Sequence, residues 1–242
     1  MAGEFRRFKP LFRVLNECGA RYVVIGGVAT ILHGFLRFTK DLDVVVDLEP
    51  AAARRVIDAL KAQGFLPHAP VDPDDFADRR IREAWTNEKG MKAFSMFDGE
   101  RPWLTIDLFI RERSDFEAFW ARAETKHVDG LPVRIASIED LLAMKRAAGR
   151  SGDREDIERL EQILADRRRP PRARDAALDD PWQACTWQGM RDAQFRAGLA
   201  ATPAQRIEEL EDMIEFVHEA ARHRDFVVDN EGTVIDLTAP RG

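Results

Sequence analysis

Hydrophobic and polar positions alternate along this chain with periods that change from segment to segment. Phe5, Phe8, Leu11, Phe12, Leu15 and Cys18 recur three or four residues apart, a helical stripe that Gly19 ends. Arg21 to Ile25 is short and β-branched, as a central strand is. Gly26 and Gly27 then make a turn, and Val28 to His33 leaves room for about two helical turns before Gly34. From Asp41 to Asp47 the period becomes two. Leu42, Val44 and Val46 share one face, and Asp41 and Asp43 share the other.

The rest of the chain adds helices and strands to that unit. Pro50 starts a helix over Ala51 to Gln63, closed by Gly64. Residues 67 to 83 read as an irregular surface region, and Ala84 to Phe97 as strand-like. Trp103 to Ile110 is a clearer strand, with Leu104, Ile106, Leu108 and Ile110 on one face and Asp107 on the other. Ser114 with Glu117 is a capping box before a helix to about Ala123, and Asp129-Gly130 is a hairpin turn. Ser137 with Asp140 starts a helix whose stripe includes Lys145, an inward lysine that needs a partner. Asp153 and Asp156 are expected to be a cap and surface charge at the start of the next helix, with Ile157, Leu160 and Leu164 inward. Residues 166 to 181 hold three prolines and five arginines and read as a linker. After it, Thr202-Pro203-Ala204-Gln205 opens a helix whose seam of Ile207, Leu210, Ile214 and Val217 wants a partner. The tail resembles a hairpin around Asn230-Glu231-Gly232.

Composition narrows the function classes. The chain has 242 residues, 45% hydrophobic and 33% charged, enough apolar material for a sizeable core. Its net charge of −6 excludes an indiscriminate nucleic-acid binder. Two distant cysteines, Cys18 and Cys185, make no disulfide framework. The N-terminus lacks the apolar core of a signal peptide, and no stretch approaches the roughly 18 apolar residues of a membrane span. A cytoplasmic protein with no membrane partner is expected.

One constellation carries chemistry. A Gly-Gly turn opens a helix, two same-face carboxylates begin the next strand, and a third stands on a later strand. Thirteen residues separate Gly27 from Asp41. Carboxylates grouped in this way suit Mg²⁺, which takes oxygen ligands together with waters and phosphate oxygens. Two such ions can stabilise the attacking and leaving oxygens of an in-line displacement. The glycines let backbone amides approach phosphate at a helix start. His33 reads as a packed histidine, and the arginines from 167 to 174 as a solvated linker.

Gly26, Gly27, Asp41, Asp43 and Asp107 together resemble the nucleotidyltransferase superfamily that includes DNA polymerase β and the minimal nucleotidyltransferases. More narrowly, Arg37-Phe38-Thr39-Lys40-Asp41-Leu42-Asp43 and Ile138-Glu139-Asp140-Leu141-Leu142-Ala143-Met144-Lys145 look like the AbiEii-type enzymes of toxin–antitoxin systems. Arg150 followed by Asp153 and Asp156 adds to this likeness, which covers about residues 10 to 165. Position 27 is glycine where many relatives have serine, which leaves out a hydroxyl able to touch phosphate.

The resemblance implies an α/β (α+β) fold: a polymerase β-like core with a small mixed sheet flanked by helices. On this division the nucleotidyltransferase domain is 1–165, the linker 166–181, and a helical C-terminal appendage 182–242. It further implies transfer of a nucleoside monophosphate from an NTP with release of pyrophosphate. Asp41, Asp43 and Asp107 would hold Mg²⁺ (two ions) or Mn²⁺, and Asp107 would assist deprotonation of the acceptor. Gly26, Gly27 and Lys145 would meet the triphosphate. Arg37 and Thr39 would either bind phosphate or brace the aspartate strand. The implied acceptor is an RNA (tRNA) end or a protein hydroxyl, in a toxin–antitoxin or phage-defence setting. Two alternatives stay open: nucleotidylation of a small, aminoglycoside-like molecule, and a non-catalytic antitoxin or binding protein with a vestigial site. The C-terminal helix would meet an antitoxin or a second copy.

Overall fold

The computed structural model describes residues 8–109, 116–168, 186–222, 226–228 and 234–236. At its centre, β1 (Tyr22–Val24) follows α1 (Phe8–Glu17), and α2 (Gly26–His33) joins β1 to β2 (Asp41–Val46). The apolar face of α1 buries Phe8, Leu11, Phe12 and Leu15, the stripe expected from the spacing. The two glycines lie inside the first turn of α2, so the helix begins earlier than Val28. After β2 come α3 (Pro50–Ala62), β3 (Phe65–Pro67), a 3₁₀ turn (Pro73–Ala77), α4 (Arg79–Lys89), β4 (Ala93–Asp98) and β5 (Thr105–Phe109). Glu49 caps α3 by accepting from the Ala52 amide.

The strand-like expectation for 84–97 is half corrected. Residues 84–89 belong to α4, which Asp78 caps and Gly90 ends in the left-handed conformation. The reason is packing: Trp85 on α4 and Phe76 on the 3₁₀ turn both stack on Phe94 of β4. A helix face anchored on one tryptophan carries too little apolar periodicity to be read along the chain.

Next come α5 (Phe116–Arg122), the hairpin β6 (Glu124–Val128) and β7 (Leu131–Ile135), α6 (Ile138–Ala148) and α7 (Asp153–Arg168). Asp129 and Gly130 both adopt positive φ, 48° and 81°, as a tight two-residue turn needs. The Ser137 hydroxyl accepts from the Asp140 amide at 3.2 Å, the expected cap of α6. The Ser114 cap lies outside the described residues, as do Phe5 and Ile110. Helix α7 runs on to Arg168, over the first three residues of the expected linker; the rest of that segment, 169–181, lies outside the described residues.

Seven strands form one mixed sheet in the order β3-β4-β5-β2-β1-β7-β6. Pairing is parallel between β2 and β5 and between β1 and β7, and antiparallel elsewhere. The expected mixed sheet flanked by helices is therefore present. Two further helices, α8 (Trp187–Ala200) and α9 (Pro203–Arg222), and the ribbon β8 (Phe226–Val228) and β9 (Val234–Asp236) complete the described chain. Thr202 and Gln205 cap α9 reciprocally, through bonds of 2.8 and 3.3 Å.

The seam on α9 finds its partner within the chain. Ile207, Leu210 and Ile214, with Phe195 of α8, belong to the same apolar core as the sheet. The Arg206 side chain donates to the carbonyls of Leu32, Gly198 and Leu199, filling acceptors left open at the ends of α2 and α8. Among the described residues no helix is long and apolar enough to cross a membrane.

Leu210 is fully buried between α9 and the rest of the core. Leu210→Ala should lower the free energy of unfolding by about 2–5 kcal/mol, measured by urea denaturation, within a single transition. A separate early transition with the main one unmoved would mean that these helices unfold on their own.

Candidate active site

The middle of the sheet brings the predicted carboxylates together. In the parallel pairing of β2 with β5, Asp43 stands opposite Asp107 and Asp41 opposite Thr105. Neighbouring strands lie about 4.8 Å apart and side chains alternate, so all three aspartates leave the same face. Their opposite neighbours, Leu42, Val44, Ile106 and Leu108, are buried in the core. The apolar alternation thus turns the acids outward. The Asp43 carbonyl accepts from the Ile25 amide at 2.9 Å, which ties the start of α2 to the aspartate strand.

Glycine is required at both positions of the pair, for different reasons. Gly26 has φ +63°, and a Cβ there would stand 2.8 Å from Asp43 Cγ. A Cβ at Gly27 would stand 2.7 Å from Thr39 Oγ1. Thr39 therefore fills the space that a serine at 27 would need. The unpaired amides of this first turn, and the positive end of the helix dipole, lie beside Asp43.

The three acids share a strained electrostatic environment. Asp43 has its pKa pushed up from 3.8 to about 7, first by loss of water around it and then by the charges of Asp107 and Asp41. Lys145 and Arg150 oppose that rise. Asp41 is raised too, by burial and then by Asp107, against Lys40 and His68. Among the described residues, Asp107 Oδ1 is buried without a hydrogen-bond partner.

Lys145 is inward, as its stripe predicted, but it is not aimed at open space. It donates to Asp153 Oδ1 at 2.8 Å and to Asp156 Oδ2 at 2.5 Å. Asp156 also accepts from Arg37. This contact ties the segment leading into β2 to α7. Asp156 is only 2% exposed, so its expected role as surface charge is corrected. Asp153 is likewise not a cap; it opens α7 as a helical residue and spends its carboxylate on Lys145. His33 is packed as expected: Nε2 meets the Ala136 carbonyl at 2.7 Å, and burial pushes its pKa down to about 4.

A cavity of about 130 Å³ opens beside the carboxylates. Gly26, Asp43, Lys145, Arg150 and Asp153 form its polar side, and Ile25, Phe109, Leu141 and Met144 its apolar side. Sequence reasoning gave Phe109 no role, and Met144 and Arg150 only places in the motif segments. Phe109 was within reach, since it follows Asp107 by two residues and so shares its face. Arg150 depends on Gly149, whose φ of +62° ends α6 and turns the chain back over the cavity.

Carboxylate oxygens are the donor type that divalent cations take. Two carboxylates in register, a third on the same face, an orphaned buried oxygen on Asp107 and an Asp43 held high in pKa all call for added positive charge. Among the described residues no group of three or more histidine, cysteine, aspartate or glutamate side chains is placed to hold a metal ion.

No family model matches the chain, and no curated protein does. Among solved structures it is similar to a lincosamide antibiotic adenylyltransferase, LnuA, solved with lincomycin bound. Identity is 16% and the TM-score 0.45, over 64% of this chain and 95% of that one. It is also similar to the antibiotic-resistance factor ANT(2'')-Ia, at 14% identity and a TM-score of 0.38, over 89% of this chain and 93% of that one. Likenesses at these scores carry no inference about the site.

The raised pKa of Asp43 has a definite sign in stability. The folded chain holds a proton there that the unfolded chain releases near pH 3.8. Its favourable contribution is complete below that pH and is lost as pH rises to about 7. In EDTA, Asp43→Asn should therefore raise the melting temperature by about 5 °C at pH 8 and by little at pH 4. A gain of equal size at both pH values would contradict this electrostatic account.

Proposed function

We propose that this protein is a metal-dependent nucleotidyltransferase of the polymerase β-like superfamily. It would transfer a nucleoside monophosphate from an NTP to a hydroxyl and release pyrophosphate. The observation that carries this reading is the register of Asp43 against Asp107, with Asp41 on the same face and the glycine-lined helix start beside them. The sequence resemblance of the two motif segments supports it independently.

Each residue has a part set by its position. Bound divalent ions would neutralise phosphate charge and polarise the phosphorus under attack. Asp41, Asp43 and Asp107 would hold those ions. Asp107, whose Oδ1 has no other partner, accepts the proton of the acceptor hydroxyl. The deprotonated acceptor oxygen forms a bond to the α-phosphorus, the bond from this phosphorus to the oxygen bridging to the β-phosphate breaks, and pyrophosphate leaves. The first-turn amides at Gly26 and Gly27, which have no partner within the helix, would meet phosphate oxygens at the positive end of its dipole. Lys145 and Arg37 hold α7 against this floor through Asp153 and Asp156.

For the acceptor we propose an RNA end or a protein hydroxyl, in a toxin–antitoxin setting, on the strength of the AbiEii-type motif segments. A small-molecule acceptor is the competing reading, and the same assay separates the two. Purified protein is incubated with each α-labelled NTP, Mg²⁺ and total cell extract, with an aminoglycoside added in a parallel reaction. Label on RNA or protein supports the first reading; label that appears only with the drug supports the second. Asp41→Ala and Asp43→Ala should each lower transfer at least about a hundredfold, since several kcal/mol of charge stabilisation is lost. Transfer that persists in both variants would sink the assignment.

A further inference from the structure

Positive charge around the cavity is unevenly committed. Lys145, only 8% exposed, is divided between Asp153 and Asp156. Asp156 in turn holds Arg37. Two cations and two carboxylates thus close a formally neutral network, and none of its positive charge is left over for a ligand. Arg150 differs. It lines the same cavity as Asp43 and Gly26, it is exposed, and among the described residues its guanidinium makes no hydrogen bond or ion pair. It is nevertheless near enough for its charge to act on Asp43.

The backbone holds Arg150 in that place. Gly149 ends α6 in the left-handed conformation and reverses the chain. The Arg150 carbonyl then accepts from the Asp153 amide at 3.1 Å. The carboxylate of Asp153 is the one anchored by Lys145, so the turn carrying Arg150 is fixed at both ends to buried structure. An exposed, uncompensated guanidinium on a fixed turn, facing a cavity with amides and carboxylates on its floor, has the chemistry of an anion clamp. A guanidinium's planar fork presents two parallel N–H donors to two phosphate oxygens, whereas a lysine ammonium acts as a point charge.

We infer that Arg150 is the side chain that binds the polyphosphate of the NTP, while Lys145 serves as a positioning residue that fixes the turn beneath it. This rests on the nucleotidyltransferase reading and adds a specific residue to it. The inference predicts that the nucleotide is recognised here by its phosphates, with discrimination by phosphate number.

Wild type, Arg150→Ala and Arg150→Lys are titrated by calorimetry in Mg²⁺ with ATP, GTP, CTP, UTP, the four unphosphorylated nucleosides and inorganic tripolyphosphate. Arg150→Ala should weaken the preferred NTP and tripolyphosphate about tenfold, and Arg150→Lys should recover part of that loss. Any nucleoside binding should be unchanged, as should the melting temperature, because Arg150 is exposed. NTP binding by Arg150→Ala within about twofold of wild type would overturn the inference. So would a parallel loss for the nucleoside, which would mark a structural effect. A wild type that binds no NTP would instead remove the nucleotidyltransferase reading, and this inference with it.

Discussion

The pairing of β2 with β5 in the middle of the sheet sets everything else. It puts two carboxylates on adjacent strands at the same level, an arrangement that repels and that costs more as water is withdrawn. The apolar halves of the same strands oppose that cost, because Leu42, Val44, Ile106 and Leu108 are all buried. A slip of one residue would bury the acids and expose the core. Register is therefore held by packing on one face, and its consequence is delivered to the other.

Around that axis the molecule is arranged to keep a negatively charged floor and to support it from behind. Gly26 and Gly27 have no side chains because Asp43 and Thr39 occupy the space. Behind them, Lys145, Arg37, Asp153 and Asp156 join α6, α7 and the segment leading into β2 into one polar network. Helix α8 reinforces this assembly from outside. A Cβ on Gly198 would stand 2.7 Å from the Gly34 carbonyl, Phe195 packs on Phe35, and Arg191 meets Glu155. The C-terminal helices thus bear on the loop that carries Arg37 and Thr39. Structure far along the chain helps to position residues near its start.

Much of the site was legible in the sequence because strand periodicity is strict. Once Leu42, Val44 and Val46 are assigned inward, Asp41 and Asp43 have nowhere else to point, and the same holds for Asp107 against Leu104 to Leu108. Caps were equally readable where they are local. Ser137 with Asp140 and Thr202 with Gln205 bond as their spacing requires. Readings failed where the deciding contact is distant. Helix α4 depends on Trp85 stacking on Phe94, and Asp153 left its expected capping role for a lysine on the preceding helix. Asp156 looked like surface charge because nothing near it in sequence shows that Arg37 lies against it.

The sequence by itself determined which face of each central strand is acid and which is apolar. It also determined where the chain must bend through glycine and which helix faces need cover. These are properties of single elements, governed by a period of two or of 3.6 residues and by local hydrogen bonds. Only the tertiary structure decided how charge is shared among them. Whether a lysine or arginine is available to a ligand depends on which carboxylates lie within about 3 Å of it, and those come from other elements. Lys145 and Arg150 are five residues apart, yet one is locked by two aspartates and the other lines the cavity with no partner among the described residues. Hydrophobic alternation placed the carboxylates, and long-range ion pairing decided that Lys145 is committed to Asp153 and Asp156.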